Sequence, residues 1–122
     1  MKEDSIIMRK SYAFALKIVN LYRYLIHDMR EFVLAKQVLK SGTSIGANVE
    51  EAAGAQSRLD FISKLNIAYK EGRETKYWLR LLYDGGFIEE QRFNEIMNEC
   101  IELNRILARI ILSTKNNENS AK

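Results

Sequence analysis

Lys40-Ser41-Gly42-Thr43-Ser44-Ile45-Gly46-Ala47-Asn48-Val49-Glu50-Glu51-Ala52 is rich in small residues, contains no proline and lies within a segment of helical periodicity. Small side chains let a neighbouring backbone come close, so the stretch reads as a helix built for contact. Gly42 and Gly46 weaken that helix by about 1 kcal/mol each relative to alanine, a cost that helices carry where close approach gains something in return. The seam through it is Leu34, Val38, Ser41, Ile45, Asn48 and Ala52, a three-four repeat of bundle type. Two of its members, Ser41 and Asn48, are polar. A buried asparagine is costly unless its amide finds partners, so a specific hydrogen-bonded contact is expected there. The helix is placed from about Phe32 to Ala55.

Outward from this element the chain reads as helix on both sides. Upstream, a helix from about Ser5 to Asp28 carries Phe14, Ile18, Leu21 and Leu25 on one line and Ala15, Val19, Tyr22 and Ile26 on the next, an apolar arc wider than the roughly 100° of a simple surface helix. Met29-Arg30-Glu31 is a short polar link. Downstream, Ser57-Arg58-Leu59-Asp60, a Ser cap with an acid three residues on, is a variant of the capping box and opens a third helix to about Tyr83. Its main seam is Phe61, Leu65, Ala68, Gly72, Thr75, Leu79 and Leu82, with a second line of Ile67, Glu71, Glu74, Trp78 and Leu81. Two carboxylates flanked by Ile67 and Trp78 need donors if they are desolvated. Asp84-Gly85-Gly86 supplies glycine termination. A fourth helix, from about Glu89 to Ser113, places Phe93, Ile96, Met97, Cys100, Leu103, Leu107, Ile110 and Ile111 on its core face. These elements predict an all-α, antiparallel up-and-down four-helix bundle, one domain over residues 1–114, with a polar, disordered tail over 115–122.

Composition bounds the function. The chain has 122 residues, 47% hydrophobic and 29% charged, with a net charge of +3, ordinary values for one globular domain. No apolar run has the length of a membrane span, the first residues lack a signal-peptide layout, and the single Cys100 forms no internal disulfide; a cytoplasmic protein without membrane attachment is expected. Glu50, Glu51, Glu71 and Glu74 invite a carboxylate metal site, but such bundles take a Glu-x-x-His pair from each of two helices, and the lone His27 sits on a polar face. The carboxylates are instead expected to be satisfied by Asn48, Ser44, Arg73, Lys76 or helix-end amides. His27 has no partner pattern for nucleophilic catalysis, and Cys100 reads as a small core hydrophobe. No cofactor, no metal and no enzymatic activity are expected. Tyr77 and Trp78 read as packing or interface before they read as a base-stacking platform.

Several motifs in order carry a family resemblance: Lys10-Ser11-Tyr12-Ala13-Phe14-Ala15, Leu34-Ala35-Lys36-Gln37-Val38-Leu39-Lys40-Ser41, Ser44-Ile45-Gly46-Ala47-Asn48-Val49-Glu50-Glu51-Ala52, Asp60-Phe61-Ile62-Ser63-Lys64-Leu65 and Lys70-Glu71-Gly72-Arg73-Glu74-Thr75-Lys76-Tyr77-Trp78-Leu79. The chain resembles the bacterial four-helix-bundle proteins encoded by intervening sequences within 23S rRNA genes. It departs from their pattern at Gly72, where alanine is expected, a change that should touch packing alone. The resemblance implies a bundle that assembles into a homopentameric ring, with Ser41, Ser44, Asn48, Glu51, Glu71, Glu74 and Trp78 serving packing or subunit contact. A distant relative, the accessory variability protein of diversity-generating retroelements, is similar in being a pentameric bundle whose basic surface binds nucleic acid and a protein partner. That kinship implies RNA or DNA binding through Arg9, Lys10, Lys17, Arg23, Lys36 and Lys40, whose field five copies would multiply. The alternative is a structural or protein-interaction scaffold that binds no nucleic acid.

Overall fold

Four helices follow one another in the chain: α1 (Lys2–His27), α2 (Val33–Ala53), α3 (Arg58–Asp84) and α4 (Glu90–Ser120). The computed structural model describes residues 2–120. Each helix packs on its neighbours in sequence, and α4 returns to α1 to close the circuit with the loosest of the four contacts. Among the described residues the backbones of neither diagonal pair come close, the arrangement of the up-and-down bundle the periodicity predicted, and there is no strand. The core is a continuous apolar column, including Phe14, Ile18, Leu21 and Leu25 of α1, Leu79 and Leu82 of α3, and Leu107 and Ile110 of α4.

The helix ends follow from local chemistry. Ser57 caps α3, its hydroxyl accepting from the Asp60 amide at 3.1 Å, the Ser-cap half of the expected pattern. After α3, the amides of Gly85 and Phe87 donate to the carbonyls of Leu81 and Leu82, both at 2.8 Å, and Gly86 takes a φ of 83° that a β-carbon disfavours. The start of α2 is different. Phe32 stands at the cap position without a side-chain acceptor, and Glu31 takes over, its carboxylate accepting from the amides of Leu34 (3.1 Å) and Ala35 (2.8 Å). That carboxylate meets the positive end of the helix dipole.

Two sequence expectations are corrected here. The fourth helix does not stop at Ser113: α4 runs on to Ser120 through most of the stretch expected to be a disordered tail. No glycine or proline interrupts it, the Asn and Ser residues cost only tenths of a kcal/mol each, and a helix already formed extends by one hydrogen bond per residue. Lys115, Asn116 and Asn117 are exposed, so the extension is polar as expected; residues 121–122 lie outside the described ones. The second correction concerns the seam of α2. Ser41, Val38, Ile45 and Ala52 are buried, but Leu34 and Asn48 sit at its edge, and Ala35, Gly42, Gly46 and Val49 complete the buried face.

Candidate functional site

The small-residue stretch of α2 makes three different contacts. Gly42 and Gly46 face α1: a β-carbon on Gly42 would come within 2.8 Å of the Ile18 side chain, and one on Gly46 within 3.3 Å of the Ser11 carbonyl oxygen. The glycines therefore bring α2 against α1, as small residues in a contact helix should. Ser41 faces α3. The Thr75 hydroxyl lies 3.0 Å from the Ser41 hydroxyl and 2.8 Å from the Glu71 carbonyl, so two protons suffice for both bonds, and both side chains are buried. Ser44 and Asn48 turn outward and satisfy themselves on their own helix. Ser44 donates to the Lys40 carbonyl at 2.6 Å, and the Asn48 amide donates to the Ser44 carbonyl at 2.8 Å. The cross-helix contact expected of Asn48 is thus made by Ser41, because Asn48 lies off the buried arc.

Outside that seam, α2 and α3 share a mixed face. Ile67 and Leu81 are exposed on α3, with Glu71 and Trp78 half-buried between them and Glu74 exposed; Phe32 and Val33 are exposed at the start of α2. The Trp78 indole N–H is buried with no acceptor among the described residues. Burial raises the Glu71 carboxyl above its ordinary value, Glu74 adds to the rise by charge and hydrogen bonding, and Lys40 and Lys70 oppose it. Ser44 and Asn48, whose bonds stay on α2, do not supply the donors expected for these carboxylates. Glu51 is exposed nearby. Among the described residues no cluster of three or more His, Cys, Asp or Glu is placed to hold a metal ion.

The six basic residues singled out on α1 and α2 do not form one surface. Lys10 pairs with Glu102, and Lys17 reaches both Glu99 at 2.7 Å and Glu95 at 3.0 Å. Hydrogen bonds to Glu99 and then Glu95 hold the Lys17 ammonium above its ordinary pKa. These two lysines stitch α1 to α4 where the helices pack least closely, and their charge is spent on α4. Arg9, Arg23, Lys36 and Lys40 are exposed and stand in no ion pair among the described residues.

Sequence reasoning passed over Asn104. It is 5% exposed and neither end of its amide has a partner among the described residues. It lies against Gly72, where a β-carbon would fall 1.9 Å from the Asn104 Oδ1. The departure at Gly72 is therefore the space that the Asn104 amide occupies. The signal was present in the spacing, since Cys100, Asn104, Leu107 and Ile111 form one helical line. Cys100 is fully buried with its thiol pushed up to about 12 by desolvation, directed at the Gly72 carbonyl at 3.4 Å. It is a core residue, as the sequence suggested.

No helix of the described chain is long and apolar enough to cross a membrane. The family model for the 23S rRNA-intervening sequence protein matches residues 3–109. Among solved structures, the chain is similar to a crystal structure of a protein with unknown function from the S23 ribosomal protein family of Bacteroides thetaiotaomicron VPI-5482. The two are 51% identical over 89% of this chain and 97% of the other, with a TM-score of 0.89. No curated protein matches the chain.

Proposed function

The chain belongs to the 23S rRNA-intervening sequence protein family, and from that premise we propose that it is a non-enzymatic bundle that closes with copies of itself into a ring, five being the number the family resemblance implies, and that the ring holds RNA or DNA by its basic surface. One observation carries the assembly. Most of the exposed large apolar side chains fall on two parts of the bundle, Phe32, Val33, Ile67 and Leu81 on α3 and the start of α2, and Tyr12 and Leu16 on α1, with Leu59, Tyr77 and Leu112 outside both. A two-fold dimer uses one self-complementary patch, whereas two different patches on one subunit suit head-to-tail contacts that close into a ring. The unpartnered Trp78 indole and the desolvated Glu71 sit in the first patch, where a donor and an acceptor from a neighbour would satisfy them.

Light scattering at micromolar concentration tests this: a mass near five times 14.2 kDa supports it, and a 14.2 kDa monomer overturns it. For nucleic acid, Arg9, Arg23, Lys36 and Lys40 support the reading as exposed cations that stand in no ion pair among the described residues. A gel-shift titration should show binding at about 50 mM salt that weakens steeply by about 200 mM; no shift at the lower salt removes it. The pairing of Lys10 and Lys17 with α4 favours the second reading, a scaffold for a protein partner alone.

A further inference from the structure

We propose that the groove between α3 and α4 is a binding channel for single-stranded RNA, an inference that rests on the nucleic-acid reading above and moves it to a second surface. The groove encloses about 590 Å³ and is walled on the α3 side by Arg73, Lys76 and Arg80. Positions 73, 76 and 80 recur at helical spacing and so share one side of α3, spread over roughly 10 Å of helix axis.

None of these cations is in an ion pair with a described residue. The reason lies in α4. Its pairing carboxylates, Glu95, Glu99 and Glu102, all turn to α1, where they neutralise Lys10 and Lys17. The opposite side of α4 offers Phe93, Met97 and Ile101 to the groove, and the next positions round the helix are the exposed Asn98 and Arg105. Asp84, at one end, is the carboxylate in the lining. The bundle thus segregates its charges: α1–α4 sets two lysines against three glutamates, and the α3–α4 groove is left cationic.

The occupant follows from the remaining chemistry. Tyr77 stands on the groove, 52% exposed, its ring edge-on to Trp78 at 5.1 Å. An exposed aromatic among cations is the arrangement that stacks unpaired bases while the phosphates are held by charge. Phe93 and Met97 pack against the core, with Phe93 stacked on Tyr83 at 4.5 Å, and Ile101 adds to the apolar floor; an acidic amphipathic helix is the competing occupant, and it would leave the exposed Tyr77 without a stacking partner. A duplex has its bases stacked internally and could use the cations but not Tyr77. Asn98, one step outside the lining by helical spacing, carries an exposed amide that both donates and accepts, as does a ribose 2′-hydroxyl, which DNA lacks.

The test is fluorescence anisotropy with a labelled 20-nucleotide oligouridylate, titrated with the full chain at about 50 and about 200 mM salt. The expected result is salt-dependent binding that falls about tenfold or more in the Arg73→Gln/Lys76→Gln/Arg80→Gln chain, with the slope of log affinity against log salt shallower by about 2, near 0.7 for each lost phosphate contact. Tyr77→Ala should lose about 5- to 100-fold, and Tyr77→Phe should retain affinity. Melting curves establish that each variant folds. If the oligonucleotide binds but is lost on replacing Arg9, Arg23, Lys36 and Lys40 and not on replacing the groove cations, the channel is overturned and the wider nucleic-acid reading stands. If neither the oligonucleotide nor a duplex binds at the lower salt, both fall. Equal affinity for oligothymidylate overturns the assignment to RNA, and capture of an acidic amphipathic peptide in place of the oligonucleotide overturns the proposal outright.

Discussion

The contact between α2 and α3 and the contact between α3 and α4 use the same materials, a small residue and a buried polar side chain, to opposite ends. In the first, Ser41 and Thr75 bond each other and the Glu71 carbonyl closes the set. In the second, Asn104 presses its amide into the space over Gly72 and finds no partner among the described residues. A satisfied buried pair contributes about 1 kcal/mol net, while an unsatisfied group costs about 1–3 kcal/mol of desolvation. The difference teaches that the polar residues of one seam can specify how two helices meet, while those of the next only occupy a gap. It extends to the outside of the bundle. Beyond α2–α3 lies an apolar and acidic face, and beyond α3–α4 a cationic groove.

The sharpest way to break this comparison is Gly72→Ala. Its β-carbon meets Asn104 head-on, and overpacking of this kind should cost about 2 kcal/mol net of the helix-propensity gain, a fall of roughly 8 °C in a thermal melt. Adding Asn104→Ala should restore most of the loss. A Gly72→Ala chain melting with the parent would mean that Asn104 has somewhere else to go. Next in size is Thr75→Val, which keeps the shape but leaves Ser41 without its partner; urea unfolding should register a loss of about 1.5 kcal/mol. Combining it with Ser41→Ala should give less than the sum of the two, since the polar group left stranded is then gone as well.

Asn104→Ala alone should stay within about 1 kcal/mol of the parent, because removing an unpaired amide offsets the small space created. If it costs as much as Thr75→Val, the two seams are alike after all. The smallest effect belongs to Glu71. Its folded pKa is raised, chiefly by burial, so the native state holds the proton more tightly than the unfolded chain. Stability should then fall as pH rises from the ordinary carboxylate value through the raised one, and Glu71→Gln should flatten that part of the pH–stability curve. Unchanged curvature would place Glu71 in water.

Much of this molecule was readable as periodicity. Phe14, Ile18, Leu21 and Leu25, or Leu65, Ala68, Gly72, Thr75, Leu79 and Leu82, announce helix and buried face together, since three-four spacing is the geometry of a helix with one dry side. The Ser57 cap was legible because its partner is three residues away. Residues at the edge of an arc were not. Asn48 and Ser41 are seven positions apart, yet one meets Thr75 and the other its own helix, because Ser41 sits inside the buried arc and Asn48 at its edge. Lys10 and Lys17 read as a basic surface until α4 set Glu102, Glu95 and Glu99 beside them. Arg73, Lys76 and Arg80 read as scattered charge until the same three glutamates were seen to face elsewhere.

From its residues alone, this chain determines four helices, their order, most of the core and kinship with a family, because each depends on neighbours within a few positions or on motifs read in line. Tertiary structure alone decided which charges cancel, which small residue makes room for which neighbour, and which helix faces remain open. Those outcomes depend on the rotation of one helix against another, and a rotation of a few tens of degrees exchanges a buried partner for water without altering a single periodicity.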